Sequence, residues 1–405
     1  MRLAPTSFRL LFLCLIASFL SLSASAVSIA THPVSKTSKE KHAAQNAHAQ
    51  HHTASATHGH KLVRASAHST VHSRQHHYYE RFSASSFAEG QTEGDIIAGE
   101  DPVVRQAAID ALGNMNGTVV AIDPSNGRIL AMVNQKLALS AGAEPCSTIK
   151  VPVALAALSE NIITKDTKVP LAKYWSMDLT EALAHSNNAY FETVGRRLGF
   201  EKYSYYARQF GLGELAGWNI ANEHLGIFPN EPLDEKLGGV GKMCSFGESI
   251  SMTPLQLGAL MSAVANGGTL YYLQHPQTQE EAVSFEPKVK RHLDIADVVP
   301  QMEDGMAGAV QYGTARALHY TFSEEQVMGK TGTCSNAGTR YGWFASFANT
   351  EHGRVVAVVF LEGGRPTYGG KAADVAGHLY RELYDHSFFG AKPVLTPASL
   401  TTGGE

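Results

Sequence analysis

The chain has no surplus of charge of one sign: 33 Lys and Arg against 37 Asp and Glu leave a formal net charge of -4 over 405 residues. A nucleic-acid binder shows a basic patch or stripe, so that class finds no support. A long hydrophobic run is missing too. The apolar stretch Leu10 to Leu22 is short for a membrane span, which takes about 20 residues. Cysteine is scarce. Outside that stretch there are three, Cys146, Cys244 and Cys334, enough for one pair with a thiol left over. Buried, inert thiols are the simpler reading. Large apolar side chains are sparse throughout residues 27–97, which excludes a packed core there.

What is there begins with an export signal. Arg2 and Arg9 flank the start of the apolar run, and Ala24-Ser25-Ala26 supplies small residues for cleavage. Residues 1–26 therefore read as a signal peptide or an uncleaved anchor. Residues 27–97 hold eleven of the nineteen histidines, among them His51, His52, His76 and His77. Their spacing is irregular, with no Cys or carboxylate interleaved, so a solvated, disordered tether is expected rather than a metal site. About 70 flexible residues reach of order 45 Å. Residues 391–405 read as a flexible tail.

The core, 98–390, has a legible order. Asp101-Pro102 opens a helix that Gly113 closes. Gly117 to Asp123 and Ile129 to Val133 form a strand pair around Pro124-Ser125-Asn126-Gly127. Much later come Val327 to Thr333, Tyr341 to Phe347 and Val355 to Phe360, with Glu351-His352-Gly353 turning between the last two. Ala372 to Leu383 has a helical pattern, and 150–270 reads as mostly helical. Two early strands, three late strands and helices between them predict an α+β fold, one antiparallel sheet with a helical insertion.

Three motifs carry chemistry in this setting. Ser147-Thr148-Ile149-Lys150 lies at a helix start, where free amides favour developing negative charge. Lys150 shares a face with Ser147 at i+3. A serine hydroxyl needs a base, and a desolvated lysine can be one. Ser186-Asn187-Asn188 falls between two helical stretches. Lys330-Thr331-Gly332 sits in a strand, with Thr333 following, and offers a charge, hydroxyls and a glycine that clears room for an approaching substrate backbone. Ser147 and Ser186 also have a plain reading as helix caps.

In this order the motifs resemble the transpeptidase domain of penicillin-binding proteins, within the superfamily of penicillin-recognising serine enzymes that includes serine β-lactamases. Val120 to Pro124 with Gly127 to Met132, Ala182 to Phe191, Thr253-Pro254-Leu255-Gln256-Leu257, Gly313-Thr314-Ala315 and Gly342-Trp343-Phe344 are similar to that family as well. The resemblance implies a five-stranded antiparallel sheet flanked by helices, with an all-helical subdomain. It implies Ser147 as the acyl-accepting nucleophile, Lys150 as base, Ser186 as proton relay and Lys330 as the cation tuning them. Asn188, Thr331, Gly332 and Thr333 would bind substrate, and the amides of Ser147 and Thr333 would form the oxyanion hole. No metal or cofactor is needed.

The implied partners are a peptidoglycan stem peptide ending in D-Ala-D-Ala and β-lactams, with cell-wall or membrane proteins alongside. The implied place is the periplasm or the outer face of the cytoplasmic membrane. D,D-transpeptidation leads the readings. D,D-carboxypeptidation, a class D-like β-lactamase and a β-lactam sensor or scaffold without turnover stand beside it. The sequence departs from the family where Cys146 replaces the glycine that commonly precedes the nucleophile, and where Gly247-Glu248-Ser249 replaces Gly-Gln-Gly. A Cys146–Cys334 disulfide would lock or distort the oxyanion hole.

Overall fold

The computed structural model describes residues 81–350 and 353–390. The expected signal, most of the tether, the turn residues Glu351 and His352 and the tail lie outside the described residues.

The sheet is built from β1 (Gly117–Asp123), β2 (Arg128–Val133), β3 (Val327–Asn336), β4 (Thr339–Thr350) and β5 (Gly353–Gly363). Its order is β2-β1-β5-β4-β3, antiparallel throughout, so the first and last parts of the chain share one sheet. Alternate residues of β1 enter different cores: Val119 and Ala121 face one side, Val120 and Ile122 the other. Both faces are covered, which is why the strands read as unbroken apolar runs rather than as alternating ones.

One face carries α1 (Pro102–Leu112), α9 (Arg316–Thr321) and α10 (Gly369–Asp385). Asp101 caps α1, accepting from the amides of Val103 and Val104. The other face carries the insertion: α2 (Lys150–Ser159), α3 (Leu179–Ala184), α4 (Asn188–Leu198), α5 (Phe200–Gln209), α6 (Gly239–Phe246), α7 (Pro254–Asn266) and α8 (Pro300–Gln311). Helix α7 is buried on nearly all sides, so it has no polar stripe. Its ends are written locally: a capping box between Thr253 and Gln256, Pro254 at the first position, and Gly267 left-handed at the end. No helix among the described residues is long and apolar enough to cross a membrane.

Three expectations need correction. The tether does not run to residue 97. Ser83 donates its amide to Gly338 O, Asn116 donates to Ser86 O, and Asp95 pairs with Arg105 at 2.7 Å. Backbone groups of Ser83, Ser86 and Ala88 and the side chains of Gln91 and Asp95 thus bind this segment to the sheet's rim, an attachment that composition does not register. The strand carrying Lys330 does not stop at Thr333; it continues to Asn336 and turns at Ala337-Gly338 into β4. Residues 211–234 contain no helix, because Gly211, Gly213, Asn219 and Asn222 all hold positive φ and break the pattern.

Candidate active site

The site lies where three pieces of chain meet: the turn before α2, the break between α3 and α4, and the edge strand β3. Ser147 sits in a 3-10 turn, Cys146–Ile149, that runs straight into α2. The i+3 spacing brings Lys150 Nζ to 2.6 Å from Ser147 Oγ. Lys150 is fully buried, and its ammonium nitrogen also meets Asn188 Oδ1 at 2.8 Å and Ser245 O at 2.7 Å. The rings of Phe191 and Phe246 wall it in. Burial pulls its pKa well below the ordinary lysine value, and the neighbouring Lys330 charge pulls the same way. Lys150 Nζ donates to all three oxygens, and its lowered pKa eases loss of the N–H aimed at Ser147, which would leave a lone pair facing the Ser147 hydroxyl.

The helical stretch breaks at Ser186 because Ser186 itself adopts φ 54, a left-handed conformation costing a non-glycine residue about 1–2 kcal/mol. Asn187 then caps α4, accepting from the Tyr190 amide at 2.9 Å, and Asn188 turns toward Lys150. Ser186 Oγ accepts from Lys330 Nζ at 2.8 Å, and Thr331 O takes a second bond at 2.9 Å. Lys330 is also fully buried, and burial lowers its pKa to about 7. Two buried lysines each stand behind a serine, and both serines line one cleft.

That cleft holds about 500 Å³ and is lined by Ser147, Ser186, Thr331 and Thr333, with Arg316 and Tyr368 at its sides. The two threonines differ. Thr331 is buried and its hydroxyl meets that of Thr314 at 2.7 Å, while Thr333 is exposed and accepts from the Gly369 amide at 2.8 Å. The expected role of Gly332 changes. A Cβ there would fall 2.8 Å from Pro145 O and 3.2 Å from Thr148 Cγ2. The glycine therefore admits the nucleophile's own turn rather than a substrate backbone. Sequence reading also missed Arg316 and Tyr368 as lining residues. The only signal was the family-like Gly313-Thr314-Ala315 just before Arg316; Tyr368 had none. The cysteines next to Ser147 and Thr333, Cys146 and Cys334, form a disulfide, with Cα atoms 5.6 Å apart. Cys244 is free and buried.

The chain is similar to known proteins in family and fold. Residues 117–384 match the family model of the penicillin binding protein transpeptidase domain. Stage V sporulation protein D of Bacillus subtilis is 28% identical over 328 residues, covering 68% of this chain and 49% of that protein. Peptidoglycan D,D-transpeptidase MrdA of Acinetobacter baumannii is 24% identical over 364 residues, covering 71% and 53%. The chain spans about half the length of these curated relatives. Among solved structures, Pseudomonas aeruginosa PBP2 in complex with WCK 5153 superposes with a TM-score of 0.60 at 22% identity, covering 75% of this chain and 78% of that one. The D,D-transpeptidase domain of a peptidoglycan glycosyltransferase from Eggerthella lenta gives 0.57 at 22%, covering 71% and 82%. Both likenesses speak to the fold.

Proposed function

The chain belongs to the penicillin-binding protein transpeptidase family, and from that premise we propose that it is a serine D,D-transpeptidase acting on peptidoglycan stem peptides. One observation carries the reading: Lys150 Nζ, buried and drawn toward neutrality, stands 2.6 Å from Ser147 Oγ. In the proposed reaction neutral Lys150 takes the Ser147 proton as Oγ attacks the carbonyl between the two terminal D-alanines. The backbone amides of Ser147 and Thr333 hold the oxyanion. Ser186 gives its proton to the leaving D-alanine amine and takes one from the Lys330 ammonium bonded to it; on acyl transfer the incoming amine's proton restores Lys330 and Lys150 gives Ser147 back its own. Asn188 holds Lys150 and the substrate amide, while Thr333, Thr331 and the Lys330 charge meet the terminal carboxylate. An amine from a neighbouring stem then takes the acyl group and frees Ser147.

Work outside the cytoplasm belongs to the same proposal, with residues 1–26 directing export and the His-rich segment acting as tether. The Cys146–Cys334 disulfide supports it, since such bonds persist in oxidising compartments.

The test is intact mass after incubation with a penicillin, wild type beside Ser147→Ala. A stable adduct on wild type alone is expected. Antibiotic consumed without an adduct replaces the reading with a β-lactamase, and an adduct on both proteins removes Ser147 from its role. Incubation of the wild type with a pentapeptide and an excess of a D-amino acid then separates transfer from hydrolysis: the exchanged peptide is expected, and only free tetrapeptide would make the enzyme a carboxypeptidase.

A further inference from the structure

The disulfide joins the residue before Ser147 to the residue after Thr333, across 188 positions of chain. These are the two residues whose amides form the oxyanion hole in the function proposed above, and the inference rests on that reading. Cys146 itself has φ 50. That is left-handed backbone, which a residue with a Cβ holds only where its surroundings over-determine it. Its surroundings do so from both sides. Pro145 O accepts from the Thr148 amide and hydroxyl, and Glu144 O accepts from Trp343 Nε1 at 3.0 Å. Pro145 in turn is wedged between Gly332 and Gly247, where a Cβ would come within 2.8 Å and 2.5 Å of it. Those contacts fasten the neighbours; the disulfide fastens Cys146. The Cys146 side chain is fully buried and that of Cys334 half-buried, so the bond is part of the wall between turn and strand.

We propose that the Cys146–Cys334 disulfide is the positioning element of the oxyanion hole: it holds Cys146 left-handed and sets the distance between the Ser147 and Thr333 amides. Neither sulfur touches substrate. The bond acts through the two backbone donors it brackets, so its loss weakens the transition state and leaves ground-state binding in place. Glycine needs no such clamp, because the left-handed region is open to it without a Cβ clash.

The experiment measures the acylation rate constant and the non-covalent affinity for a fluorescent penicillin in four forms of the full protein. They are oxidised wild type; wild type treated with dithiothreitol, which becomes a cyclic disulfide as it takes the bond to two thiols; Cys146→Ala with Cys334→Ala; and Cys146→Gly with Cys334→Ala. The reduced protein and the alanine pair are expected to acylate about tenfold more slowly, with affinity changed by less than about twofold. The glycine pair is expected to regain most of that loss. Full-rate acylation by the alanine pair overturns the proposal. So does an equal loss in the alanine and glycine pairs, because only general loosening of the structure would ignore their difference at φ 50. Circular dichroism on each form separates slow acylation from unfolding. If oxidised wild type takes no adduct at Ser147 in any state, the function proposed above fails rather than the positioning role.

Discussion

The two faces of the sheet are built by different rules. Behind it, α1, α9 and α10 lay apolar side chains against β1, β4 and β5, with Val104, Leu112, Leu379 and Leu383 meeting Val119, Phe344 and Val359. The polar pair in that wall is satisfied internally, Ser346 Oγ to Tyr380 OH at 3.0 Å. In front, around one cleft, lie two buried lysines, two non-glycine residues with left-handed backbone and a strand glycine pressed by carbonyl oxygen. Each of these runs against local preference at the place where the chemistry is proposed. The contrast separates stability from chemistry: the back holds the sheet, and the front spends part of that stability on keeping lysines dry and backbone bent.

The largest expected break in the comparison is Lys150→Met, which keeps the volume and removes the amine. Acylation by a penicillin should fall about a thousandfold, the range of a lost general base. The thermal midpoint should not fall with it. A lysine whose folded pKa is depressed is neutral in the fold and charged when unfolded, so it costs stability below its unfolded value. Rapid acylation by Lys150→Met would take the base role away from this residue. A collapse in stability would merge the two faces into one.

The complementary change behind the sheet is smaller. Leu379 is fully buried, and Leu379→Ala should cost about 2–5 kcal/mol of unfolding free energy. The rate of acylation per folded molecule should stay at the wild-type value. Denaturant titration beside a single-turnover acylation assay checks both halves. A parallel drop in rate would mean that the packing of α10 reaches the cleft, whose rim includes Gly370 at its start.

Much of this division is legible in the sequence, and the reason is physical. Helix ends are spelled locally: Asp101-Pro102 and Gly113 bracket α1, and Thr253-Pro254 with Gln256 opens α7. The sheet is legible because both its faces are apolar, so β1 and β5 stand out as runs. Ser147, Lys150, Ser186 and Lys330 are legible because the family resemblance supplies their order, and Lys150 and Ser147 fall together by helical spacing alone. What stays hidden depends on distant chain. Residues 83–97 attach through backbone amides and an Asp95–Arg105 pair that composition does not weight. Cys334-Ser335-Asn336 lie past the run that reads as strand yet extend it, because β4 supplies their partners. Gly332 looked like room for substrate, and the turn that fills that room lies far away in sequence. Arg316 and Tyr368 reach the cleft from the starts of α9 and α10, where no motif marks them.

The finest contrast is in pH. Behind the sheet the buried Arg105 of α1 is neutralised by Asp95 and Glu100, whereas the front couples two amines. A lysine with a lowered pKa is charged below that value and neutral above it. In the proposed reaction Lys150 acts as base only when neutral, so acylation should rise with pH through its depressed pKa. In the same proposal Lys330 attracts the substrate carboxylate only when charged, so the rate should fall as pH passes about 7. The profile is then a bell whose limbs belong to the pair. Lys330→Met should remove the alkaline limb and also move the acid limb upward, because the Lys330 charge helps to hold the Lys150 pKa down. Leu379→Ala should leave both limbs in place. Acylation constants measured from pH 5 to 9 decide it. An acid limb that stays fixed in Lys330→Met would mean burial alone keeps Lys150 neutral, and the two lysines would then share a cleft without sharing a titration.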